Sequence, residues 1–179
     1  MLIKTVVLLL AGLASGSAGA VQTVRGPVIL QFGQITPLPN AAMQPDQKLK
    51  YRVAFNISKA PAEPDLVNAG LEKVARYMNL LAAGGVQPAE AEVVAVVHGP
   101  ATELVLSNDS FRRRHGTDNP NLPLIEALSD AGVVVHVCGQ ALARQKIAHS
   151  DVLPKVTVDL AALVTLTTLQ LKGWSVIDD

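Results

Sequence analysis

The chain has 179 residues, 49% hydrophobic but only 3% aromatic, and its 15 basic residues balance its 15 acidic ones. Zero net charge argues against nucleic acid or an anionic membrane surface as the main partner, because both select a marked positive excess. The single cysteine, Cys138, rules out an internal disulfide and leaves either a free thiol or an intermolecular pairing.

Residues 1–20 read as a secretory signal peptide. Lys4 supplies the positive start, "TVVLLLAGLA" (5–14) the apolar run, and Ala18 and Ala20 an A-x-A cleavage pattern. The run is well short of the ~20 residues of a spanning helix, which ranks a membrane anchor second. The expected mature chain starts at Val21, lies in the periplasm without a membrane span, and keeps 14 basic against 15 acidic residues. It is long enough for one domain, with a core that must be built from Val, Leu and Ala.

Residues 21–50 are rich in Gly, Pro, Gln and Asn and read as an extended arm, with "VILQFGQI" (28–35) as a candidate short strand. The domain proper spans 51–179. "YRVAFNI" (51–57) is a strand by its β-branched and aromatic content. Asp65 is the expected cap of a helix whose Val67, Leu71, Val74, Met78 and Leu81 recur on one face, and "GG" at 84–85 stops it. "AEVVAVVHG" (91–99) is a nearly continuous apolar strand of the kind covered on both faces, followed by "PATELVLS" as a short helix. "SFRRRHGTDNPNLPL" reads as an ordered loop running into a helix over 122–132. "VVVHVC" (133–138) is a second buried strand, "GQALARQKI" a helix, and "KVTV" (155–158) a short strand. Asp159 is the expected cap of a last helix ending at Gly173, and "WSVI" (174–177) closes the chain as a strand. Strands alternating with helices predict a three-layer α/β/α domain with a mainly parallel sheet.

Ligands of open parallel sheets bind outside the carboxyl ends of the strands. His98 and Gly99 end one valine-rich strand; Cys138, Gly139 and Gln140 end the other, and His136 shares the face of Cys138. Cys138 precedes a helix, whose free N–H groups would favour a thiolate, and Gly139 would allow close backbone approach. The alternative is an inert buried cysteine. His98 and His136 read first as hydrogen-bonded structural residues. With Cys138 they lack the spacing of a metal signature, so no metal is expected. Asn119 and Asn121 serve a ligand or, by default, cap the next helix. Arg112, Arg113 and Arg114 read by default as a solvated helix face, with anion binding as the alternative. No P-loop, G-x-G-x-x-G, G-x-S-x-G or H-E-x-x-H pattern occurs, and no cofactor is expected.

Taken in order, "NAGLEKVARYMNLLAAGGV", "VAVVHGPATELVL", "NPNLPLIEALSDAGVVVHVCGQAL" and "LVTLTTLQLKGWSVI" resemble the DsrE/DsrF-like family in its exported branch, over roughly residues 50–179. The resemblance implies a five-stranded parallel sheet and assembly into small homo- or hetero-oligomers. It also implies a role in sulfur relay, as carrier or sulfurtransferase, with a sulfur donor or acceptor as partner. Cys138 stands at the position of the family's "VCGQ" cysteine, so the resemblance gives it the part of persulfide carrier. His98, Asn119 and Gln140 match recurrent positions to which it assigns no role. A non-catalytic oligomeric binding module with a structural Cys138 is the competing reading. A thiol-disulfide oxidoreductase is disfavoured by the missing C-x-x-C pair.

Overall fold

Five strands pair in the order β4-β3-β2-β1-β5, and every pairing is parallel. They are β1 (Arg52–Ile57), β2 (Glu92–Val97), β3 (Val134–Cys138), β4 (Thr157–Asp159) and β5 (Ser175–Asp178). The structure is a computed structural model and describes residues 26–179. The signal-peptide reading of residues 1–20 and the arm residues 21–25 lie outside that range. No helix among the described residues is long and apolar enough to cross a membrane.

Side chains alternate across a strand, so each strand feeds two layers. Val53, Phe55 and Ile57 of β1, Val93, Ala95 and Val97 of β2, and Val135 and Val137 of β3 face one way. There they meet α1 (Ala69–Ala83) and α3 (Leu122–Asp130), which contribute Leu71, Val74, Met78, Leu124 and Leu128. Burying each large side chain contributes roughly 1.5–3 kcal/mol, which makes this layer the main source of stability. The opposite layer is thin. Val94, Val96, Cys138, Ala141 and Ala162 pack with Leu166, Leu169 and Trp174 from α5 (Ala162–Leu171) and the residues after it. The fold is thus the expected α/β/α arrangement with unequal layers.

Several local expectations are corrected. Helix α1 is capped by Asn68, whose Oδ1 accepts from Leu71 N at 3.0 Å, while Asp65 lies in an exposed turn. Tertiary contacts favour Asn68: its N–H donates to Asn121 Oδ1 at 2.7 Å and its amide to Lys59 O at 2.8 Å. Asp159 is not a helix cap but the last residue of β4; Ala161 occupies the cap of α5 and makes no side-chain cap bond. "PATELVLS" folds as a 3-10 helix, Gly99–Val105. The expected loop holds α2 (Asn108–His115), capped by Ser107 and ended by Gly116 at φ 75°. Its arginines are exposed and each meets a carboxylate: Arg112 with Asp109 and Asp118, Arg113 with Asp151, and Arg114 with Glu103. Such exposed pairs are screened by solvent and add little to stability, and here they hold a solvated helix face.

Residues 27–33 form bends rather than a strand and lie against α1. Asn79, fully buried on α1, organises them. Its Oδ1 accepts from Val28 N and Ile29 N at 3.2 and 2.9 Å, and its Nδ2 donates to the carbonyls of Ile29, Phe32 and Gly33 at 3.0–3.1 Å. Further along, Gln47 Nε2 donates to Gly84 O at 3.1 Å. Between these anchors the arm stands off α1 over a 640 Å³ apolar groove lined by Leu38, Met43, Tyr51, Tyr77 and Leu80. That groove lies near the amino end of β1, away from Cys138.

Candidate functional site

Val97 pairs with Val137, so the next residues, His98 and Cys138, stand abreast on neighbouring strands at the carboxyl edge. Both alternate onto the α5 side of the sheet. On the far side of Cys138, Asp159 of β4 is its register partner; beyond His98 lie Asn56 of β1 and Asp178 of β5, themselves paired. Polar side chains of one parity therefore cross the sheet in the order Asp178, Asn56, His98, Cys138, Asp159, stepping diagonally between β1 and β2 because Asn56 is in register with Val96, two residues before His98.

Hydrogen bonds fix the roles within the row. Asn56 Nδ2 donates to Asp178 Oδ1 at 2.7 Å, which leaves its Oδ1 facing His98 Nε2 at 2.6 Å. Asp178 as a carboxylate can only accept, so the amide orientation is set and His98 must carry its hydrogen on Nε2. Its Nδ1 then keeps the lone pair. Burial pushes the His98 imidazole below its ordinary value, against the opposing charge of Asp179. The ring is accordingly neutral at pH 7. Asp179 is held below the usual carboxylate range despite its burial, because the N–H groups of Lys59 and Ser58 and the Ser58 hydroxyl donate to it.

A second unit sits beside the thiol. His136 Nδ1 lies 2.9 Å from both oxygens of Asp159, and Thr165 Oγ1 donates to the same carboxylate. His136 and Asp159 are mostly buried, at 20% and 18% side-chain exposure, and Thr165 ties them to α5. Cys138 is 6% exposed, and among the described residues its Sγ has no hydrogen-bond partner.

His98, Gly99, His136, Cys138 and Gly139 are brought to one edge, with Gln140 exposed beside them in the first turn of α4 (Gly139–Arg144). Asn119 is not brought to it. It is 3% exposed, donating to Leu104 O and Leu106 O at 2.8 and 2.7 Å and accepting from Asn121 N at 2.9 Å. Two expectations about the cysteine's surroundings change. Helix α4 has only six residues, so the dipole behind Cys138 is that of less than two turns. Gly139 makes room for protein rather than ligand: a Cβ there would stand 2.7 Å from the Asp159 carbonyl oxygen. Gly99 has φ 58°, and its carbonyl accepts from Thr102 Oγ1 and Gln145 Nε2 at 2.7 and 2.8 Å. Sequence reasoning missed Asn56, Asp178 and Gln145 and gave Asp159 the wrong task. Strand parity was the available signal for Asn56, one residue beyond the buried Phe55.

Comparison with known proteins gives a family and several solved structures similar in fold, two of which follow. The family model described as "DsrE/DsrF-like family" matches residues 52–178. MTH1491 from Methanobacterium thermoautotrophicum, a protein of unknown function, is similar in fold: TM-score 0.56 and 19% identity, over 72% of this chain and 99% of that one. The ychN protein from E. coli is similar at TM-score 0.50 and 14% identity, again over 72% of this chain and 99% of that one. Among curated proteins none matches the sequence.

Proposed function

The chain belongs to the DsrE/DsrF-like family, and from that premise we propose that it is a sulfur-relay protein whose Cys138 carries a sulfane sulfur as a persulfide. The supporting observation is the place of Cys138: the only thiol of the chain ends an inner strand at the carboxyl edge, between two polar side chains. The step is redox-neutral. A new S–S bond forms between Cys138 and the outer sulfur of a donor R–S–SH, the donor's S–S bond breaks, and R–SH leaves with the proton. The lack of a second cysteine means that no internal disulfide can discharge the persulfide. Incubation of the purified protein with a polysulfide should add one sulfur atom to its mass, removable by reductant, and Cys138→Ser should abolish the gain. The second reading, an interaction module with a structural cysteine, is favoured by the 6% exposure of Cys138. It takes over if the thiol reacts with alkylating agents only after unfolding.

Two further features belong to this reading. The signal-like residues 1–20 would place the relay in the periplasm. Helix α5, "ALVTLTTLQL", carries no charge and exposes Leu163 at 81% and Leu171 at 85%, with Leu160 at 71% just before it. Large exposed apolar side chains clustered on one element mark an interaction surface, and a second copy of the chain is the partner proposed. Protein recovered from the cell envelope should begin at Val21 and scatter light as a multimer. Recovery as an uncleaved chain would remove the export reading, and a monomer mass across a wide concentration range would remove the assembly.

A further inference from the structure

We infer that Asn56 and His98 form a proton relay to Cys138, in which His98 Nδ1 takes the thiol proton and Asn56 holds the ring. The inference rests on the sulfur-carrier reading for its reaction but on separate geometry. Asn56, His98 and Cys138 lie on three successive strands, β1, β2 and β3, and face the same layer. The bond to Asn56 occupies Nε2 on the β1 side. That bond therefore leaves Nδ1 as the unprotonated nitrogen, and Cys138 stands abreast of His98 on β3 at the ~4.8 Å spacing of paired strands. No Sγ–imidazole hydrogen bond is formed in this structure; catalytic bonds of free enzymes commonly tighten only when substrate is bound. A cysteine, a histidine and an amide oxygen in this sequence reproduce the nucleophile, base and orienting group of thiol catalysis.

The other charged groups around the thiol make such a base necessary. Asp159 flanks Cys138 on the β4 side, and its negative charge opposes a thiolate. It is shared with His136 and with Thr165, the polar residue that α5 contributes. Asp178 lies beyond Asn56; Asp179, engaged by Lys59 and Ser58, acts on His98 rather than on the thiol. Helix α4 adds only Arg144 in its last turn. Burial keeps the His98 ring neutral, so its lone pair is open at pH 7. In the transfer, the Cys138 proton moves to His98 Nδ1 and the thiolate attacks the outer sulfur of the donor. The departing R–S⁻ then recovers that proton, which returns the ring to its neutral form.

The test is the pH dependence of Cys138 alkylation by iodoacetamide in the folded full chain. His98→Gln retains an N–H donor for Asn56 while removing the base. It should react at least about tenfold more slowly at pH 7, and the difference should close above about pH 9, where a thiol ionises unaided. Asn56→Ala should show a smaller loss with the same pH course. A purely structural role would alter the rate equally at every pH. Identical profiles for wild type and folded His98→Gln, or a pH-independent offset, overturn the relay. Sulfur uptake separates the two ideas. A pH-dependent alkylation deficit in His98→Gln, together with a wild type that retains no sulfur, keeps the relay and removes the carrier. Equal sulfur uptake by His98→Gln at all pH values keeps the carrier and removes the relay.

Discussion

Replacing Asn79 by alanine should destabilise the protein by about 3–5 kcal/mol, a large part of the roughly 5–15 kcal/mol that holds a domain folded. The side chain is fully buried and makes five hydrogen bonds to the arm backbone. Each is worth about 1 kcal/mol net, and unpaired backbone groups left inside would cost about 1–3 kcal/mol more apiece. The arm limits that loss by lifting off and taking water as its partner, so the two effects do not simply add. Asn79→Asp should be at least as damaging, because it keeps the acceptor for Val28 and Ile29 but turns a carboxylate towards three carbonyls. Urea denaturation measures the loss, and a change under about 1 kcal/mol would show that the arm contributes little to stability.

Gly139→Ala should destabilise by about 1–3 kcal/mol although it adds one methyl group to the first turn of a helix. Two terms compete. Alanine improves on glycine in a helix by about 0.5–1 kcal/mol. Against this, the added Cβ would lie 2.7 Å from the Asp159 carbonyl oxygen and 3.5 Å from that of Leu160. Those are backbone atoms of β4 and of the residue after it, which cannot swing aside as a side-chain tip can, so the steric term wins. The strain falls between Cys138 and its register partner Asp159, and thiol reactivity should change along with stability. Gly132→Ala is the control. Nothing lies within 4 Å of its added Cβ, and only its φ of 87° is penalised. A Gly139→Ala variant as stable as the wild type would mean that β4 yields readily.

The inner strands were legible because five of the six residues of β2 and three of the five of β3 are buried, and both read as valine-rich runs. Edge strand β4 has one partner and three residues, and "KVTV" located it two residues early. Helix α2 escaped because only Ser110 and Phe111 of its eight residues are buried, which leaves no apolar period to detect. Both carboxylates assigned as helix caps, Asp65 and Asp159, were placed by local chemistry, whereas distant residues decided the outcome. Asn121 holds the true cap Asn68, and His136 claims Asp159. For the site, the strand ends were readable but the row across them was not. That row depends on strand order and register, and Asn56 meets His98 only after a separation of 42 residues.

The pairing of β5 with β1 has a consequence for the order of folding. Val53 waits for Ser175, 122 residues later, so one side of β1 keeps its backbone N–H and C=O groups without a sheet partner until that distant segment arrives. A nascent chain stalled before residue 175 would present an inner strand of the finished sheet as an open edge, ready to pair with the same strand of another copy. Truncation within the last turn of α5 should therefore give an aggregating protein rather than a slightly shorter domain.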